Sequence, residues 1–430
     1  MTRRLITAWL VALALVAGSG CTVNPVTGKS QLDLLGEAQE IELGKSLYPT
    51  SIQESLGPIE DDTVQRLVAD VGNRLAEVSH RPALPYEFTA VSDPEVNAFA
   101  LPGGKICITR GLLARLESVD GMANVMGHEI GHVTARHAVA HYNRQILATA
   151  ISVGAMVYMG TSDSDYRGLI GIGAIVGTQL ALAHYSREQE RQSDDLGIGY
   201  AVKAGYSPRG MIETQKVLLS LQEKEPGAVQ RLLASHPMSA ERVATAEKQV
   251  AALPPEVRDR PLRTREYRAA MREVIAQREA WDLAGQGRRL LGAEKVKEAE
   301  AKLAEASRRG AGQGMIRTLH AVSLAMAKRD DAAVSEAREG ARLAQKAFIS
   351  QSVGGQLLLK PDPAAALACF ERAEEILPGQ ADVAYLRGQA LEKLGRKQQA
   401  VEAYRQARER DPNGKVGAAA AKRLQALGAA

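Results

Sequence analysis

Apolar residues follow two rhythms along the first 250 positions. Glu37–Leu47 and Asp62–Val78 space them three and four apart, as one face of a helix does. Tyr86–Val91 and Lys105–Thr109 instead alternate apolar with polar residues around Pro94 and the Pro102-Gly103-Gly104 turn, which predicts short strands. Helical spacing returns from about Val119 to Ile151. Ser207-Pro208 interrupts the later helices, and Pro254-Pro255 with Pro261 predicts a linker over residues 251–275. Two Gly-rich apolar runs, Ile146–Gly160 and Gly168–Ala183, flank the polar Thr161–Arg167. Each is short for a membrane span, so a buried or lid-forming helical hairpin and a transmembrane hairpin are both open readings.

Beyond the linker the pattern repeats. Gly354, Ala366, Phe370, Ala373 and Pro378 recur as Gly388, Ala400, Tyr404, Ala407 and Pro412. A spacing of about 34 residues, with small residues where helices cross, an aromatic between them and Pro closing the unit, is the tetratricopeptide period. Weaker units surround Ala299, Leu303 and Ala306, and Ala333 and Ala337. About four repeats over residues 276–428 would stack into a solenoid with a concave face for peptides or partner proteins.

The start of the chain adds a destination. Arg3 and Arg4 precede the apolar run Leu5–Ala17, the length of a secretory signal rather than a membrane span. Gly18-Ser19-Gly20-Cys21 resembles a bacterial lipoprotein processing site, with Gly18 where an aliphatic residue is usual. Residues 1–20 are thus expected to be a signal peptide and Cys21 a lipidated first residue; an ordinary signal with an incidental Cys is the alternative. Thr22, rather than Asp, after the Cys resembles the pattern of lipoproteins sorted to the outer membrane of a Gram-negative bacterium.

Composition narrows the chemistry. With 430 residues the chain has room for two or three cores, and aromatics at 4% favour helices rich in Ala and Leu over a β-sandwich. A net charge of +4, with both signs interspersed, supplies no basic stripe, which excludes a nucleic-acid surface. Besides Cys21 only Cys107 and Cys369 occur, too far apart for a disulfide framework or a CxxC metal site. Any metal must therefore be held by His and carboxylate.

His128-Glu129-Ile130-Gly131-His132 is an HExxH motif. On a helix the two imidazoles differ by roughly 40° and sit about 6 Å apart along the axis, so one ion can meet both. Glu129 points toward the neighbouring face, where it can reach a water beside the metal. On the same helix His137 and His141 would face away and are read as structural. Ala138 stands where a metzincin would place its third His, so the third ligand lies elsewhere. Glu190 and Asp194, four apart, share a helical face: either one binds the metal while the other orients a His, or both belong to a solvated charged face.

HExxH followed by this ExxxD resembles the Glu-zincin metallopeptidase family that includes the stress protease HtpX and the CAAX prenyl proteases. Val96–Gly104, Ser186-Arg187, and Ser235-His236-Pro237 with Arg242 match it too, so the resemblance covers about Glu37 to Arg242. With the lipoprotein start and the repeats, it is closest to the type that assists outer-membrane protein assembly. Gly121 stands where the family often has an acidic residue, and Ser193 replaces its usual Ala.

The resemblance implies one Zn2+ held by His128, His132 and Glu190, with Glu129 as general base and Asp194 supporting. It implies that Asn97, Ala98, Phe99 and Ala100 lie on an edge strand that pairs with substrate backbone. It also implies that His236 either stabilises an oxyanion or occupies the open metal position; a loop His packed beside Pro237 is the plain alternative. The expected fold is α+β and mostly α: a metallopeptidase domain with a small sheet over residues 21–250, then an all-α repeat solenoid. The expected activity is a zinc endopeptidase of the periplasm, lipid-anchored to the membrane. It would act on protein substrates and hold envelope assembly proteins through its repeats. A chaperone or scaffold with little proteolysis, and an integral membrane protease, are the competing expectations.

Overall fold

A computed structural model describes residues 20–143, 185–237 and 240–429. The expected signal peptide over residues 1–20, apart from Gly20, and the apolar hairpin expected between 146 and 183 lie outside these residues. Among the described residues no helix is long and apolar enough to cross a membrane.

The N-terminal part begins with a hairpin, β1 (Gly20–Val23) and β2 (Ser30–Asp33). Asn24 holds its turn by accepting from the Val26 and Thr27 amides, and its Nδ2 donates to the Ala135 carbonyl 3.0 Å away. Helices α1 (Glu37–Glu54) and α2 (Asp62–Glu77) follow. The Asp61 carboxylate accepts from the Thr63 and Val64 amides and starts α2, whose Val64, Val68, Val71 and Leu75 form one fully buried stripe. A three-stranded sheet comes next: β3 (Glu87–Val91), β4 (Ala98–Leu101) and β5 (Lys105–Thr109). Its order is β3-β5-β4, with β3 parallel and β4 antiparallel to β5, so β4 is an edge strand.

The short α3 (Arg110–Leu113) leads to α4 (Val119–Thr134), the HExxH helix, which the Ser118 hydroxyl caps by accepting from the Gly121 amide. The helical stretch expected from Val119 to Ile151 is broken at residues 135–136 and resumes over 137–143, and its expected end lies outside the described residues. Arg136 takes a left-handed φ of 58° and turns the chain. A dense polar anchor holds this conformation: Arg136 Nε donates to the buried Glu40 carboxylate at 3.1 Å and its Nη1 to Asp33 at 2.6 Å, while Arg81 binds Glu40 and the Val133 carbonyl.

After residue 185 the chain forms α5 (Arg187–Lys203), α6 (Arg209–Lys224), α7 (Pro226–Ser235) and α8 (Ala240–Ala251). Helices α4 and α5 cross through small residues. A Cβ on Gly127 would lie 2.9 Å from the Gly197 carbonyl oxygen, one on Gly197 would lie 2.9 Å from the His128 amide nitrogen, and one on Gly131 would touch the Ser193 backbone at 3.1 Å. Only glycine permits so close an approach at 127 and 197. The Gly121 position is explained in space: Glu213 of α6 fills it, accepting from the Ser118 hydroxyl at 2.7 Å.

The stretch 251–275, expected as a linker, instead belongs to the peptidase core. It forms α9 (Pro255–Arg258), α10 (Thr264–Ala270) and, running to residue 276, α11 (Arg272–Ala276). Tyr267, Met271 and Val274, spaced as one helical face, are fully buried in that core, and the Tyr267 hydroxyl donates to the Leu113 carbonyl at 2.6 Å. Prolines here shorten helices without releasing the chain from the core.

Four helix pairs follow: α12 (Arg278–Gly292) with α13 (Val296–Arg309), α14 (Gly314–Met326) with α15 (Asp330–Leu343), α16 (Phe348–Leu358) with α17 (Pro363–Ile376), and α18 (Ala381–Lys393) with α19 (Lys397–Arg410). Helix α20 (Lys415–Ala426) caps them. Ala299, Ala333, Ala366 and Ala400 are all fully buried, as the period predicts. One position shifts: the glycine beneath Phe370 is Gly355, not Gly354, whereas Gly388 lies beneath Tyr404. The glycine-to-aromatic spacing is thus one residue shorter in the first of these units than in the second.

The two parts meet along a seam. Arg115 bridges Glu225 and Asp282, the buried Asp93 binds both Arg231 of α7 and Arg288 of α12, and Arg289 pairs with Glu95. Leu56, just after α1, packs into the cluster formed by Trp281, Ile316 and Ala347 of the repeats.

Candidate metal centre

The α4–α5 crossing sets Glu190 and Asp194 against the HExxH helix. His128 Nε2 and His132 Nε2 are 3.0 Å apart, and Glu190 places Oε2 3.6 Å from the first and Oε1 3.4 Å from the second. His236, at the C-terminal end of α7, adds Nδ1 at 2.9 Å from Glu190 Oε1 and 3.3 Å from His128 Nε2. All four ligand atoms lie within 4.8 Å of one another and all four residues are buried. Zinc bonds of about 2.0–2.1 Å would set tetrahedral ligand atoms roughly 3.3–3.4 Å apart. The cluster therefore has the spacing that a divalent ion requires.

The surrounding hydrogen bonds support that fit. Asp194 Oδ1 accepts from His128 Nδ1 at 2.9 Å, which leaves the Nε2 lone pair facing the cluster. On His132 the same result is reached through a chain. Gln192 presents its amide oxygen 2.9 Å from His137 Nε2, so His137 carries its proton there. Its bare Nδ1, 2.9 Å from His132 Nδ1, accepts that N–H and leaves the His132 Nε2 lone pair facing inward. Glu190 Oε2 is buried and accepts no hydrogen bond, although Arg242 Nη1 lies 2.9 Å away. Two converging imidazole lone pairs beside a buried carboxylate suit a cation.

The electrostatics agree. Burial holds the His132 pKa well below the ordinary histidine range despite Glu190, which keeps the ring neutral and able to ligate. Burial opposes the charged form of Glu190, but His236 and His128 outweigh it and hold its pKa far below the usual carboxylate range. Asp194 is likewise lowered, burial being overcome by His128 and Arg242. His236 is raised because Glu190 and Glu129 outweigh its burial.

Glu129 is buried beside the cluster, with Oε1 3.8 Å from His236 Nε2. It lines a cavity of about 40 Å3 together with Ala98, His128 and His236. That volume admits a water or two but no peptide. Of the edge-strand residues, Ala98, Phe99 and Ala100 form β4 with Leu101, and Asn97 precedes it with its side-chain oxygen buried and unmet. The Cys21 backbone lies in β1.

Three participants were not assigned from sequence. His137 was expected to face away from the metal; the left-handed turn at Arg136 brings it onto His132 instead, a change of direction that helical projection cannot foresee. Tyr185 stacks on His132 with ring centroids 3.9 Å apart. Arg242, noted only as part of a motif, clamps Asp194 with Nε at 2.9 Å from Oδ2 and Nη2 at 2.7 Å from Oδ1. Its spacing after His236 was the available signal.

A helix-borne HExxH pair joined by a carboxylate from a second helix defines a metallopeptidase centre. In agreement, residues 62–250 match the model of Peptidase family M48 and residues 381–413 that of a tetratricopeptide repeat. The chain thus carries an M48 peptidase domain followed by tetratricopeptide repeats. It is 28% identical over 236 residues to the beta-barrel assembly-enhancing protease of Escherichia coli K12, covering 54% of this chain and 48% of that one. It is 28% identical over 181 residues to the mitochondrial metalloendopeptidase OMA1 of Schizosaccharomyces pombe, covering 42% and 51% respectively. The chain spans about half the length of these curated relatives. A solved tetratricopeptide protein, YrrB, overlaps 48% of this chain and 99% of its own at 17% identity and a TM-score of 0.32. So loose an overlap carries no weight; the repeat fold rests on the helix pairs themselves.

Proposed function

We propose that this chain is a zinc-dependent endopeptidase of the Gram-negative periplasm, anchored by a lipid on Cys21 to the outer membrane. Its role would be to degrade misfolded or stalled envelope proteins and to assist outer-membrane protein assembly, with the repeats recruiting assembly partners. The observation that carries the peptidase reading is the convergence of His128, His132 and Glu190 at tetrahedral spacing beside Glu129. Imidazole and carboxylate donors suit zinc.

A zinc ion bound there would supply Lewis acidity and an acidified water. Glu129 takes up the proton released and delivers it to the leaving amine. Asp194, held by Arg242, keeps His128 in its ligating tautomer. The free edge of β4, with Ala98 lining the cavity, is suited to align an extended peptide by backbone pairing. His236 Nδ1 stands at the fourth corner of the cluster, which favours the blocking role over oxyanion stabilisation in this state.

The test is Glu129→Gln, which should retain one zinc per chain while losing casein cleavage. Cleavage at the wild-type rate would overturn the mechanism. A second reading, a scaffold acting mainly through its repeats, draws support from the small cavity and the inserted His236. It predicts that full function in outer-membrane assembly survives Glu129→Gln, whereas the peptidase reading predicts loss.

A further inference from the structure

Away from the metal centre, the seam between peptidase and repeats encloses a cavity of about 280 Å3 that shares no lining residue with the catalytic cavity. Its only lining cation is Arg110, the first residue of α3, which is 7% exposed. One face of the guanidinium lies over the Trp281 ring, 4.7 Å from its centroid. Among the described residues Arg110 forms no hydrogen bond or ion pair through its side chain, and its Nε is buried and unmet. Among the described residues every other buried arginine is matched by acceptors: Arg81 and Arg136 by Glu40, and Arg115 by Glu225 and Asp282.

An isolated buried charge is costly, and chains normally pair it or replace it. Burial alone draws the Arg110 pKa down to about 10, with Asp61 the one carboxylate that opposes the shift. Asp61, which also lines the cavity, spends one carboxylate oxygen on capping α2 and makes no hydrogen bond to Arg110. Glu60 and Glu273, the other acids at this cavity, are exposed at its rim, and Glu60 accepts from the Lys346 amide. The guanidinium fork is thus left open to the cavity while its back is covered by Trp281. A planar fork of this kind matches a carboxylate with two parallel hydrogen bonds.

Part of the wall is apolar, contributed by Leu56, Ile59, Met315 and Leu343, while Ser92 and Gln313 add polar surface. An apolar group a few bonds from a carboxylate is the chemistry of a chain-terminal residue. An Asp or Glu side chain presents its carboxylate with no apolar group beside it, and a small inorganic anion would leave that wall unused. We infer that the seam cavity is a binding site for the free C-terminus of a polypeptide, with Arg110 receiving the α-carboxylate and the apolar wall the terminal side chain. Its occupant would touch both parts of the molecule at once, because Arg110 belongs to the peptidase and Trp281 and Met315 to the repeats. This assignment does not depend on the metal centre being active.

The probe is acetyl-Gly-Gly-Leu with a free C-terminus, titrated into the full chain and followed by calorimetry and by Trp281 fluorescence. Saturable binding is expected, weakened at least tenfold when the same peptide carries a C-terminal amide, and abolished by Arg110→Met. That variant should be at least as stable thermally as the wild type, because it removes an unpaired buried charge. Equal binding of acid and amide, binding undiminished in Arg110→Met, or no binding at millimolar peptide would each overturn the assignment. Sodium acetate at equal carboxylate concentration should compete poorly; full competition would reduce the site to a small-anion pocket and refute the chain-end reading. The acid-versus-amide comparison uses only the wild type, so the test holds even if Arg110→Met does not fold.

Discussion

Replacing His137 by Ala tests whether the metal centre depends on a residue that contributes no ligand atom itself. His132 and His137 are 1% and 4% exposed, so water cannot readily replace the lost acceptor. The His132 Nδ1–H, now 2.9 Å from His137 Nδ1, would be left as an unmet buried donor at a cost of about 1–3 kcal/mol. The ring would also lose the restraint that keeps its proton on Nδ1 and its Nε2 bare for the metal. Partners of this kind typically contribute 10–100-fold in metal affinity, roughly 1.4–2.7 kcal/mol, which agrees with the local cost. The assay is zinc competition against a calibrated chelator, with circular dichroism to confirm folding. His137→Ala and Gln192→Leu should both weaken zinc, the second less, because His137 remains as acceptor but loses the group that fixes its own tautomer. A folded His137→Ala variant that binds zinc within twofold of wild type would refute the relay.

Glu190→Ala should lower zinc occupancy sharply, whereas Asp194→Ala should weaken it by the smaller factor of an orienting carboxylate; equilibrium dialysis separates the two. Casein cleavage should rise in His236→Ala if Nδ1 blocks the open metal position, and a crippled variant would assign oxyanion stabilisation instead. Removing the chain from Trp281 onward should destabilise the peptidase. Asp93 and Glu95 lose Arg288 and Arg289, and Leu56 loses its apolar cover, so the midpoint should fall by about 2–4 °C for each kcal/mol lost, readable by calorimetry.

The Asp93 pairings also show how the repeats can bear on the metal centre. Its carboxylate joins Arg288 of the first repeat helix to Arg231 of α7, and α7 ends at His236.

Much of this protein was determined by sequence alone, because the relevant signals are local. The i, i+4 spacing of His128 and His132 fixes their common face on any helix, and Glu190 with Asp194 follows the same rule. The Ala and aromatic positions of the repeats are set by helix crossings within one 34-residue unit, so Phe370 and Tyr404 fall where the period places them. Tertiary structure decided what depends on chain direction and on contacts distant in sequence. Arg136 adopts a left-handed turn because Glu40 and Asp33 hold its guanidinium, and only then does His137 meet His132. Tyr267 and Met271 sit among prolines that read as a linker, yet their apolar side chains are worth more buried against Leu113 and its neighbours than exposed. The distance between HExxH and Glu190 was likewise invisible, since it is set by whether Gly127 and Gly197 come to face each other across two helices.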